Sequence, residues 1–129
     1  MKIFFSQKSQ EILKNINYPP ENAFQILGRI ENNFLRIDSI VPFNMVSQSE
    51  NSCSIIYSRK DSHKNLIGIL HIHPPENHFL PSDQDIETMK KLFIQQEAVL
   101  LIAEKKSGSW LIHPYLFKNK LTMFGCVCV

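Results

Sequence analysis

Apolar positions along the chain fall into short runs with two spacings, and the spacing assigns the elements. "KIFF", next to the first residue, reads as a short strand. "SQKSQEILKNI" (6–16) then gathers Ile12, Leu13 and Ile16 on one side, which predicts a helix with Ser6 as its cap. "NYPPEN" stops that helix, because two consecutive prolines impose extended backbone. Two strands are expected next, over 23–30 and 34–41, joined by Glu31, Asn32 and Asn33 as a tight hairpin. A polar loop separates them from another strand candidate at 52–58.

"LIGILHIH" (66–73) opens with a continuous apolar run, which predicts a buried central strand. After a proline-bounded loop, Ile86, Met89, Leu92 and Phe93 recur at helical spacing, so an amphipathic helix is expected over 82–96. "AVLLIAEKK", "SWLIHPYLF" and "KLTMFGCVCV" supply three further strand candidates to the last residue. Strands outnumber helices. The expected fold class is α+β, a mixed β-sheet covered by two main helices. A chain of 129 residues is the size of one domain, so 1–129 is treated as a single unit.

Composition narrows the class without changing the elements. Hydrophobic residues make up 43% and charged residues 20%, with four glycines, the profile of a compact globular chain. The formal charge of +2 comes from 14 basic and 12 acidic residues spread along the sequence. Only "RKDSHK" (59–64) and "EKK" (104–106) cluster basic residues, too briefly for a nucleic-acid stripe, so no nucleic-acid partner is expected. "MKIFFSQKSQ" lacks the long apolar region of a secretory signal, and no later run approaches a membrane span. A cytoplasmic location without a membrane partner is expected; oligomeric state is not legible. Cys53, Cys126 and Cys128 are an odd number, which speaks against a disulfide framework. Cys126 and Cys128 would share one face of an extended segment, in the core or at a sheet edge.

Candidate chemistry concentrates in "GILHIHPPENHFLPSDQD" (68–85). His71 and His73 are one residue apart at the end of a strand, so the period of two places both imidazoles on one face. A zinc site that performs chemistry needs three nitrogen or oxygen ligands and a fourth position left for water. Asp85, in the first turn of the expected helix, can point back toward the strand end as the third. The same "SDQD" is also spaced as a capping box, which suits a helix N-terminus with no metal present. His63 lies on a charged loop and His113 at a strand end, both apart from this group, and His78 lies in the loop between the ligand candidates. The length excludes a TIM barrel, and neither H-E-x-x-H nor C-x-x-C occurs.

"HIHP" (71–74) followed by "SDQD" (82–85), with "YPPENAFQILG" (18–28) upstream, resembles the JAMM (MPN-plus) zinc metalloproteases, in particular their small stand-alone prokaryotic type. Tyr18, Pro19, Glu21 and Gly28 stand in the register that many small members show. The resemblance implies a JAMM/MPN-like, cytidine-deaminase-like sheet with two helices. It also implies one Zn²⁺ per chain held by His71, His73 and Asp85, with Glu21 as general acid and base and Ser82 beside the developing oxyanion. The implied reaction is hydrolysis of a peptide or isopeptide bond at the C-terminal tail of a ubiquitin-like or sulfur-carrier protein, a tail that binds extended.

This sequence departs from the family pattern in two places. The segment between His73 and Asp85 is one residue longer than the family's usual spacing, which makes Asp83 a rival ligand. Asp85 is preferred because its register with Ser82 belongs to the helix. Ala23 and Phe24 stand where many small members have cysteine and glycine. Two other functions remain open: a catalytically silent scaffold of the same fold, and a zinc hydrolase of a small amide.

Overall fold

The computed structural model describes residues 1–16, 22–48, 53–56, 65–73 and 80–129, with the backbone alone for 22, 44–48 and 53–56. Among the described residues, ten strands and two helices follow in the order β1 (Lys2–Phe5), α1 (Gln7–Lys14), β2 (Asn22–Glu31), β3 (Phe34–Pro42), β4 (Asn44–Gln48), β5 (Cys53–Ile56), β6 (Leu66–Ile72), α2 (Asp83–Leu92), β7 (Ala98–Lys106), β8 (Ser109–Lys118), β9 (Lys120–Met123) and β10 (Val127–Cys128). The fold is α+β. One mixed sheet runs β1-β3-β2-β6-β7-β8-β10, with β9 also on β8, and β4 and β5 pair separately. Within the large sheet β1 lies parallel to β3 and β6 parallel to β7, while the other neighbours are antiparallel.

Strand alternation sorts the apolar residues into two layers. Leu70 and Ile72 of β6 join Leu13 of α1, Ile37 of β3 and Trp110 of β8 on one face. Ile69 joins Met89 and Phe93 from the α2 region, with Leu100, Ile102 and Tyr115, on the other. The two helices therefore cover opposite faces, and β6 is buried between them, as its apolar run requires. Close approach is built in at Gly68, where an added Cβ would lie 2.0 Å from the Val99 carbonyl oxygen of β7.

Ser6 caps α1, its hydroxyl accepting the Ser9 N–H at 3.1 Å. The tail of that helix is tied across the sheet, because Trp110 Nε1–H donates to the Leu13 carbonyl at 2.8 Å. The β2–β3 hairpin turns at Asn32 and Asn33, with Asn33 at φ 100, where asparagine is among the better tolerated residues.

Three expectations change. The polar loop before β5 contains β4, which forms a separate two-stranded ladder with it. The helix expected over 82–96 stops at Leu92: Phe93 is its C-cap, and Gln95 adopts a left-handed φ of 58. The last strand is divided. β9 and β10 both pair with β8, but the register slips by one residue at Phe124–Cys126, opposite Pro114, whose carbonyl accepts the Phe124 N–H. A proline has no N–H to give in return, so the ladder breaks where Pro114 sits.

Candidate metal centre

The end of β6 delivers the histidines. Ala23 of β2 pairs with His71, and β7 flanks the other side with Ile102 opposite His71. Pairing continues past the strand end, because the His73 N–H donates to the Ala103 carbonyl at 3.0 Å. Both backbones are thus clamped before either side chain does anything. The period of two turns both rings to the α2 face, where they meet edge to face with centroids 4.5 Å apart.

Asp85 reaches the pair from the first turn of α2. Ser82 and Asp85 form a reciprocal capping box: the Ser82 hydroxyl accepts the Asp85 N–H at 3.1 Å, and Asp85 Oδ2 accepts the Ser82 N–H at 2.8 Å. That fixes the carboxylate over the strand end. Its Oδ1 lies 2.6 Å from His71 Nδ1, its Oδ2 lies 3.3 Å from His73 Nε2, and the two ring nitrogens are 3.1 Å apart. Capping and convergence on the histidines, alternatives on paper, coexist in one side chain. Asp83 is exposed and takes no part in the group.

His73 and Asp85 are buried and His71 is nearly so. Burial alone opposes ionisation of Asp85, but the hydrogen bonds to His71 and His73, the charge of His71 and the Ser82 N–H outweigh it. Together they hold the carboxyl well below the usual carboxylate range. Asp85 is accordingly an anion at any ordinary pH, as a metal ligand must be.

The donor set is one that could hold a metal ion. His71 Nδ1, His73 Nε2 and a carboxylate oxygen lie within 4.8 Å of one another. Lone-pair atoms packed this closely need protons or a cation among them. Tetrahedral zinc with bonds near 2.0–2.1 Å separates its ligand atoms by roughly 3.3 Å. The 3.1 and 3.3 Å separations are close to that, while the 2.6 Å His71–Asp85 separation is a short charge-assisted hydrogen bond. The outer nitrogen of His73, Nδ1, is buried without a hydrogen-bond partner among the described residues.

Of the other residues singled out in the sequence, Ser82 is exposed at the helix start beside the group. Tyr18, Pro19, Glu21, His63 and His78 lie outside the described residues; Glu21 is the residue immediately before β2 in the sequence. His113 is not at a strand end. It sits inside β8, buried, with Nε2 3.7 Å from Glu104 Oε1 on neighbouring β7. The sequence concealed this pair because Ile102, not Glu104, faces His113 in the ladder, and only the strand register brings the two together. Cys126 and Cys128 are free and exposed at the sheet edge. No helix is long and apolar enough to cross a membrane among the described residues.

No family model and no curated protein matches the chain. Among solved structures, the solution structure of protein DSY2949 from Desulfitobacterium hafniense is similar. It shares 21% identity and a TM-score of 0.62, over 95% of this chain and 90% of that one. Likeness at that identity concerns the fold alone.

Proposed function

We propose that this chain is a JAMM-type zinc hydrolase that cleaves a peptide or isopeptide bond at the C-terminal tail of a ubiquitin-like or sulfur-carrier protein. The observation that supports it best is the convergence of His71 Nδ1, His73 Nε2 and the Asp85 carboxylate at the junction of a buried strand end and a helix N-terminus. Two histidines and one carboxylate are a hydrolytic donor set, with one position left over for chemistry. Zinc bound there supplies Lewis acidity and a lowered water pKa.

The chain's own residues divide the remaining work. His71 and His73 offer ring nitrogens held in orientation by the β6 backbone bonds. Asp85 offers a fixed negative charge and is kept from swinging by the Ser82 N–H. Ser82 Oγ already accepts the Asp85 N–H, so its own hydrogen is the one it can turn toward an oxyanion forming on the substrate carbonyl. Glu21 is assigned the proton traffic, taking a proton from the attacking water and passing it to the leaving amine.

One observation favours a different role. Asp85 is satisfied within the chain, by the capping box and by both histidines, which is what a metal-free scaffold would need. Zinc analysis of purified protein together with the Glu21→Gln variant separates the two. The hydrolase reading expects close to one zinc per chain, cleavage of a ubiquitin-like protein carrying a C-terminal extension, and a Glu21→Gln variant that keeps the metal but not the cleavage. Folded protein that takes up no zinc, or full activity in Glu21→Gln, refutes it.

A further inference from the structure

A small cavity of about 40 Å³ opens between the sheet and α2, directly beside the ligand group. Its apolar walls are Ala23 of β2, Ile69 of β6 and Leu100 of β7, all buried. His71 and Asp85 stand on one side of it, and Gln84 and Thr88 line it from the helix. The Thr88 hydroxyl is already committed to its own helix, donating to the Gln84 carbonyl at 2.8 Å, so the methyl is what Thr88 has left to offer. The cavity therefore joins an apolar interior to the group formed by His71, His73 and Asp85.

We infer that this cavity is a specificity pocket that takes a small apolar side chain flanking the scissile bond, with Ala23 setting its depth. The assignment of a scissile bond rests on the hydrolase reading above; the size selection rests on the cavity. One water needs roughly 10–15 Å³ of such space, and an apolar cavity of roughly 150 Å³ holds a benzene ring. At about 40 Å³ the pocket suits a group of the size of an alanine or valine side chain and rejects an aromatic ring or a long basic one. It is also too small to enclose a whole substrate, which leaves the remainder of the bound molecule outside on the surface.

Ala23 is the residue with most leverage. Its side chain is one methyl, its backbone is fixed opposite His71 by the β2–β6 register, and any larger side chain there enters the cavity first. Thr88, partly buried on α2, gives an independent way to fill the same space from the other side.

Binding of acetamide, propionamide, isobutyramide and benzamide is to be measured by methyl NMR titration, on zinc-loaded and zinc-free protein. The proteins are wild type, Ala23→Val and Thr88→Leu, each first checked for a cooperative thermal transition. Each added methylene that enters the pocket should tighten binding about fourfold, up to isobutyramide. Benzamide should bind more weakly than isobutyramide. Ala23→Val and Thr88→Leu should each abolish the gain with chain length. Absence of size dependence in wild type overturns the inference, as does benzamide binding best, or size dependence unchanged in a folded Thr88→Leu. Size selection in a protein that binds no zinc and cleaves nothing would refute the hydrolase reading and leave the pocket standing. Zinc binding and cleavage without size selection would do the opposite.

Discussion

Replacing Asp85 by asparagine separates a metal ligand from a helix cap, because asparagine keeps the side-chain oxygen that the Ser82 N–H needs and loses the charge. The fold should survive. The carboxylate's lost interaction with the first-turn dipole is worth about 0.3–1 kcal/mol. Zinc binding should not survive intact. Four-ligand structural zinc sites bind with about 10–16 kcal/mol, or roughly 3 kcal/mol per ligand, so losing one ligand should weaken affinity by roughly a hundredfold or more. Two assays read this: competition with a chromogenic chelator, and thermal denaturation at a fixed free-zinc level.

At zinc one hundred times the wild-type dissociation constant, wild type gains about 2.7 kcal/mol, while a hundredfold weaker variant gains about 0.4 kcal/mol. For a domain of this size that corresponds to a rise in Tm of about 10 °C for wild type and only about 1–2 °C for Asp85→Asn. Asp83→Asn, on an exposed residue outside the group, should match wild type in both assays. Equal zinc shifts in wild type and Asp85→Asn, or a larger loss in Asp83→Asn, would show that the carboxylate assignment is wrong.

Gly68→Ala would push a methyl to 2.0 Å from the Val99 carbonyl oxygen and 2.6 Å from Val99 Cγ2, so it should cost about 3 kcal/mol or more, read by urea denaturation. Trp110→Phe removes the donor to the Leu13 carbonyl and leaves unfilled volume in the core, and should cost about 2–4 kcal/mol in the same measurement. Burial raises the Tyr115 phenol above its ordinary value, so the folded state holds that proton more tightly than the unfolded state does. Its contribution is complete below pH ~10 and is lost as pH rises through the folded value. Tyr115→Phe should therefore lose part of the alkaline fall in stability, and an identical slope in both proteins would contradict this.

Where local pattern and long-range pairing agreed, the sequence was legible. The apolar run before His71 marked a strand buried on both faces, and the period of two put His71 and His73 on the same side. Ser82 and Asp85 carried their own helix start, and that start is what aims the carboxylate. β4 was missed because "NMVSQ" has no alternation of its own and is a strand only through its pairing with β5. The break in the last strand was missed because its cause, Pro114, lies on the neighbouring strand. The Glu104–His113 pair is hidden from local pattern for the same reason: register, not spacing, brings the two side chains together.

The bond from Trp110 to Leu13 spans 97 residues of sequence, and Trp110 is the chain's single tryptophan. Its indole environment cannot become native until the first helix and β8 have met, which places it among contacts with the greatest loop-closure cost. Intrinsic fluorescence will therefore time the joining of the two ends of the chain, not the collapse of either half. A stopped-flow trace on the unlabelled protein should lag behind the gain of helical and strand signal.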